Sequence, residues 1–262
     1  MTALLADVMT ALDDLYPPSL AAEWDAVGLV CGDPASDVSR VLLAVDPVEV
    51  VVQEALDRDC QLLLTHHPLY LRPTTSVAAD TPKGRVVHRL VTAGCALFVA
   101  HTNADLARPG VNDALAALVG LRDPQPLLGG LGQVGDLSTP TTAAELTAHL
   151  AAVLPATAWG VRSSGDPQTV VRRLAVCGGA GDDLLAEATM AGAQAFLTAD
   201  LRHHRASEGP AGLVLIDAAH WATEWPWLPD AAARLASVVD VEALVSTICT
   251  DPWTTAQRSP RP

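Results

Sequence analysis

Basic residues are scarce in this sequence. Sixteen Lys and Arg stand against 30 Asp and Glu, and Lys83 is the single lysine. The net charge of -14 repels phosphate backbones and anionic headgroups, so nucleic acid and membrane surfaces are not expected partners. One lysine among so many arginines reads as genome bias rather than function. No uncharged apolar run reaches the roughly 20 residues of a membrane span. The opening segment MTALLADVMTALDDLY carries three aspartates and no base, which speaks against a secretory leader and for an amphipathic helix. The five cysteines, at 31, 60, 95, 177 and 249, form no CxxC pair. They read as buried, reduced thiols of a cytoplasmic protein, with Cys95, Cys177 and Cys249 in apolar, strand-like runs. A GxSxG elbow, an HExxH helix and a Cys-His nucleophile pattern are all missing.

What remains is a chain of 262 residues, half apolar and 18% charged, long enough for one large domain or two modest ones. Short apolar runs alternate with helix-length segments. VLLAV (41–45), QLLLT (61–65) and CALFVA (95–100) are separated by helices expected near 47–58 and 83–93, and a helix near 110–119 follows. The order then repeats: RLAVC (173–177), a helix near 182–191, AFLTA (195–199) and GLVLID (212–217). Such alternation predicts an α/β fold whose central strands are mainly parallel and covered on both faces. In both halves the middle strand runs into a threonine followed by His-containing sequence, LLLTHHP and FLTADLRHH, which suggests an internal duplication. The Gly- and Pro-rich stretch 122–140 reads as a boundary or exposed connection. Two related α/β domains are therefore expected, 1–125 and 126–262, with the last helix and strand free to pack back on the first. A helix over 141–154 and a strand near 157–163 precede the second repeat. The tail from Asp251 is expected to be loosely held.

Six of the eight histidines, 66, 67, 101, 203, 204 and 220, fall at or just after the carboxyl end of an expected strand, where open parallel sheets bind their ligands. His88 and His149 lie in helices and read as surface residues. His66 and His67, leaving a strand in succession, should point to opposite sides and so suit two metals; the alternative is a hydrogen-bonded loop pair. Asp105, four residues past His101, can reach back as a ligand or cap its own loop, and His101 can orient a ligand from behind it. His220 and Glu224, spaced by four, share one face of a helical turn. Asp200, His203 and His204 are candidates for further ligands, or for orienting ligands, moving protons or touching substrate, the readings preferred because five ligands already fill most of two coordination spheres. Gly178, Gly179 and Gly181 form a strand-to-helix turn whose N–H groups either hold an anion or serve only as a tight turn. Asn112 and Asp113 read as a helix cap. Histidine with carboxylate and without thiolate suits Zn, Mn, Fe, Co or Ni.

Trp24-Asp25-Ala26-Val27-Gly28-Leu29, LLLTHHPLYL, HTNADLARPGVNDALAALVGL, LAVCGGAGDDLL, FLTADLRHH and LIDAAHWATEWPWLPDAAARL follow one another in order. Together they resemble the Nif-three-like dinuclear metal-centre family, whose members are called GTP cyclohydrolase 1 type 2 homologues. The resemblance implies two related α/β domains around a metal cleft. It implies two divalent ions per chain held by His66, His67, Asp105, His220 and Glu224, with Glu224 bridging them, and a homohexameric ring. Larger members insert a further domain, for which this chain is too short. Ala199 and Ala219 stand where the family usually has glycine.

Two divalent ions against Asp105 and Glu224 would leave the cleft net positive, which suits a small anionic substrate such as a nucleotide or phosphoester. The activity implied is metal-dependent hydrolysis, with His101 or His204 shuttling protons. The alternative is a non-catalytic metal-binding, metal-delivery or regulatory scaffold. A purely structural metal is disfavoured, because such sites are closed and often cysteine-rich.

Overall fold

The computed structural model describes residues 2–127 and 129–257. The chain divides into two compact units, Met1–Gly110 with Leu228–Thr250 and Val111–Trp227 with Asp251–Pro262. It changes unit at Gly110, ahead of the expected 125/126 seam. The reason is the helix Val111–Leu118, which commits Leu115 and Ala116 to the second unit's core.

The first unit is built on a five-stranded sheet. Its order is Glu242–Val245, Arg40–Ala44, Leu62–Thr65, Ala96–Val99 and Gly28–Cys31. The first four strands are parallel and Gly28–Cys31 runs antiparallel at the edge. Every residue of Leu62–Thr65 and Ala96–Val99 is buried, as a parallel sheet covered on both faces requires. The helices Glu49–Asp57 and Pro82–Thr92 turn Val51, Val52, Ala55, Val86 and Leu90 onto Leu42, Leu63 and Leu97. Pro82 starts the second of these helices, and the Thr81 hydroxyl accepts the Gly84 N–H at 3.0 Å, satisfying a donor left open at the helix start.

The second unit carries six strands in the order Arg122–Pro126, Gln133–Thr142, Val170–Ala180, Ala195–Ala199, Val214–Ala218 and Val161–Ser163. The junctions among Val170–Ala180, Ala195–Ala199 and Val214–Ala218 are parallel and the other three are antiparallel. Side chains alternate between faces: Leu174, Val176 and Leu197 enter one core, Ala175, Cys177 and Phe196 the other. The helix Ala143–Val153 begins with a capping box between Thr142 and Glu145 and buries Leu146 and Leu150.

The stretch 122–140 is thus no mere connection. It supplies an antiparallel strand pair at the sheet edge, where Pro124 and Pro126 are tolerated because edge strands need fewer N–H donors. Otherwise the units share one order of elements. Each has a helix, Leu5–Leu15 or Ala143–Val153, then an antiparallel strand, Gly28–Cys31 or Val161–Ser163, then three successive parallel strands. In both, the antiparallel strand pairs with the last of the three.

No helix among the described residues is long and apolar enough to cross a membrane. Cys60, Cys95 and Cys177 are buried, as expected, but Cys249 is exposed, because the strand ends at Val245. Of the tail, Asp251 is buried and Trp253 packs against Trp159, ring centroids 6.2 Å apart; residues 258–262 lie outside the described residues.

Candidate metal centre

The carboxyl ends of three neighbouring parallel strands in the first unit lead into Val45-Asp46, His66-His67 and Ala100-His101. His66 is fully buried, and its Nδ1 lies 3.0 Å from the carbonyl oxygen of Ala100. A carbonyl only accepts, so Nδ1 carries the hydrogen and Nε2 of the neutral ring presents a lone pair. That lone pair faces Oδ1 of Asp105 at 3.6 Å. Two electron-rich atoms held this way need a cation between them, either a proton or a metal ion. His67 places Nδ1 2.7 Å from Oδ1 of Asp46, whose other oxygen accepts from the Thr250 hydroxyl. The Thr65 hydroxyl donates to the His67 carbonyl at 2.9 Å and pins the strand exit.

His66 and His67 do not point to opposite sides. The strand ends at Thr65, so the alternation stops there, and the two rings lie 5.1 Å apart. His101 joins them, 5.1 Å from His66 and 5.7 Å from His67. The three rings each offer a nitrogen within 4.8 Å of the others, a group able to hold a metal ion. His101 is therefore a candidate ligand as well as a candidate for orienting one. The orienting partner is Asp25, whose Oδ1 lies 2.8 Å from His101 Nδ1 and whose Oδ2 accepts the Thr102 N–H at 3.0 Å and the Thr102 hydroxyl at 2.5 Å. Burial pushes the Asp25 carboxyl up, but the hydrogen bonds from Thr102 and His101 outweigh it and hold the group below the usual range. Burial and the neighbouring His66 lower the His101 pKa against the pull of Asp25, which favours the neutral imidazole that ligates metals.

In the second unit, His220 follows the Val214–Ala218 strand and opens the short helix His220–Glu224. Its Nδ1 lies 2.7 Å from Oδ2 of Asp200 and its Nε2 2.9 Å from Oε1 of the buried Glu224. Asp200 itself sits at φ 58°, a left-handed conformation that aspartate tolerates. This imidazole is thus held between two carboxylates, again an arrangement that calls for a cation. Ala219 adopts φ -67° and ψ 137° and Ala199 closes a regular strand, so neither turn needs the glycine this chain lacks.

The Gly178–Gly181 turn is not an anion cradle. Its N–H groups are already taken: Gly178 donates to Asn112 Oδ1, Gly179 to Thr223 Oγ1 and Gly181 to Thr198 Oγ1, all within 2.8–2.9 Å. Its glycines serve close approach instead. A Cβ on Gly179 would stand 2.5 Å from Glu224 Oε1 and 3.0 Å from His220 Nε2. Asn112, read as a cap, anchors this turn. His204 turns to solvent and pairs with Glu208 at 3.3 Å. The exposed His203 lines two surface pockets, one with Arg162 and Asp217, the other with Asp182 and Arg202. His88 and His149 are exposed, as expected.

Asp25 and Asp46 carried no assigned role in the sequence. Asp46 had a usable signal: it directly follows the expected strand VLLAV, at the sheet edge that binds ligands. Asp25 had none beyond its place beside Trp24, because its partners lie 76 and 77 residues away.

Residues 3–252 match the Duf34/NIF3 (NGG1p interacting factor 3) family. A relative from Streptomyces coelicolor, named GTP cyclohydrolase 1 type 2 homolog, is 53% identical over 266 residues, covering 95% of this chain and 93% of its own. One of the same name from Mycobacterium bovis is 37% identical, with 97% of both chains covered. Its alignment runs over 370 positions, so it carries inserted sequence. The crystal structure of a Bacillus cereus protein related to NIF3 superposes with a TM-score of 0.91 at 21% identity, covering 97% of this chain and 99% of that one, a likeness of fold.

Proposed function

This chain belongs to the Duf34/NIF3 family, and on that premise we propose that it is a metal-dependent hydrolase of a small phosphate-bearing molecule. The observation that carries the reading is the pairing of imidazole Nε2 with carboxylate oxygen, in His66 with Asp105 and in His220 with Glu224. In both, the far ring nitrogen is engaged by an acceptor, the tautomer control typical of metal-binding histidines. We assign His66, His67, His101 and Asp105 in the first unit, and His220 and Glu224 in the second, as the residues that would hold divalent ions. A divalent ion held there would supply Lewis acidity, lowering the pKa of water and drawing charge from an oxygen under attack. The protein's own part is to fix the rings: Asp25 holds His101, Asp46 holds His67 and Asp200 holds His220.

These three carboxylates change the charge count expected from the sequence. With them, two divalent ions no longer leave the proposed centre net positive, so the substrate's anion needs a cation elsewhere. We carry over the cytoplasmic location and the homohexamer as part of the same proposal. Elemental analysis of purified protein should find about two ions per chain. A screen of phosphomonoesters and nucleotides with Zn, Mn, Fe, Co and Ni should find turnover that Glu224→Gln abolishes. Metal binding without turnover on any substrate would favour a metal-delivery or scaffold role instead.

A further inference from the structure

Beside His67 lies a pocket of about 520 Å³, walled by Pro47, Val48, Leu69, Pro82 and Val86. That volume falls within the range of small-molecule sites. Four ionisable groups also reach it: Asp46, Glu49, His67 and Lys83. Three are committed. Asp46 accepts from His67 Nδ1 and from Thr250, and Glu49 holds Arg85 Nε at 2.9 Å. Lys83, the chain's single lysine, has no carboxylate partner among the described residues; its ammonium stands over the Tyr70 ring, 5.6 Å from the centroid. The pocket thus offers an apolar wall, one uncommitted positive charge and two carboxylates.

From this we infer a binding site for a small apolar or aromatic molecule bearing one anionic group, with the anion on Lys83 and the body against Val48, Leu69 and Val86. A phosphomonoester or carboxylate fits; a nucleoside triphosphate does not. A triphosphate brings about four negative charges to one lysine and two carboxylates, and like charges brought together in a partly desolvated site are costly. The inference rests on the proposed function only in taking this molecule as substrate. Because His67 and Asp46 form part of the wall, metal at His67 and ligand in the pocket should affect each other's affinity, and reciprocally.

Titration calorimetry of the full chain, with and without added Zn or Mn, tests this with phenyl phosphate, 4-phenylbutyrate, benzyl alcohol and GTP. Phenyl phosphate and 4-phenylbutyrate should bind more tightly than benzyl alcohol and GTP. Lys83→Met should weaken these two about tenfold and leave benzyl alcohol unchanged. Val48→Trp, at a half-exposed wall position, should weaken all of them without altering metal content. GTP binding more tightly than phenyl phosphate, or phenyl phosphate and 4-phenylbutyrate indifferent to Lys83→Met, would overturn the assignment. If metal binds and no probe does, the pocket is wrong and the metal centre stands. If the probes bind to a protein that takes up no metal, the pocket stands and the proposed function fails.

Discussion

Nε2 of His220 lies 2.9 Å from Oε1 of Glu224, one helical turn along the same short helix. The pair is possible at this separation because Gly179 has no side chain. Its backbone, at φ 64°, packs where any Cβ would meet both of these atoms, and Thr223 ties its N–H down.

Gly179→Ala should therefore lose metal at His220 and Glu224 and destabilise the protein by about 2 kcal/mol, from the strained positive φ together with the clash. Gly192→Ala is the control: its φ is 77° but nothing lies closer than 4.0 Å. It should cost about 1 kcal/mol and leave metal content intact. Elemental analysis and thermal melts separate the two; equal metal content in both variants would contradict the role given to Gly179.

Asp25→Asn should weaken metal binding at His101 by roughly 10- to 100-fold, as expected when the partner orienting a ligand is lost. It should also change the acid limb of stability. The Asp25 carboxyl is held below its ordinary value in the folded protein. Its contribution is therefore present above the unfolded-state pKa of about 3.9 and fades as pH falls through the lower folded value. Denaturant melts between neutral pH and pH 3 should show the wild type losing more stability than Asp25→Asn.

Burial pushes the thiols of Cys60 and Cys95 up to about 11 and about 12, and a protonated thiol is a poor nucleophile. At pH 8 a maleimide should label the exposed Cys249 first and leave Cys60 and Cys95 unmodified until the protein unfolds. Mass spectrometry of the labelled peptides checks this, and rapid native labelling at Cys95 would contradict it.

Stripping metal should lower the melting temperature. A divalent ion at a hundredfold excess over its Kd stabilises the folded state by about 3 kcal/mol, and His66→Ala should remove most of that increment. A melting temperature indifferent to chelator and to added metal would count against any metal centre.

The α/β alternation was legible because VLLAV, QLLLT, CALFVA and AFLTA are apolar at consecutive positions, the mark of strands buried on both faces. The clustering of histidines after strands was legible for the same reason. The Arg122–Pro126 and Gln133–Thr142 strands were not, because the first forms the sheet edge with the second beside it, both carry prolines and most of their residues are not buried. The ring directions of His66 and His67 were beyond a two-residue period, since the strand stops one residue earlier. Asp25 escaped because hydrogen bonding across 76 residues leaves no local pattern. The Gly178–Gly181 turn was read by its donors, whereas its use depends on the space those glycines vacate.

The Glu242–Val245 strand pairs in parallel with Arg40–Ala44, about two hundred residues earlier, and Thr250 reaches Asp46 from the same returning segment. During synthesis, then, the first sheet emerges with an open edge that waits until Glu242–Val245 has left the ribosome. Until then Arg40–Ala44 offers unpaired backbone to any passing strand. A nascent chain arrested before residue 228 should be aggregation-prone and dependent on chaperones, and the aspartate beside His67 should gain its second anchor only after Thr250 has emerged.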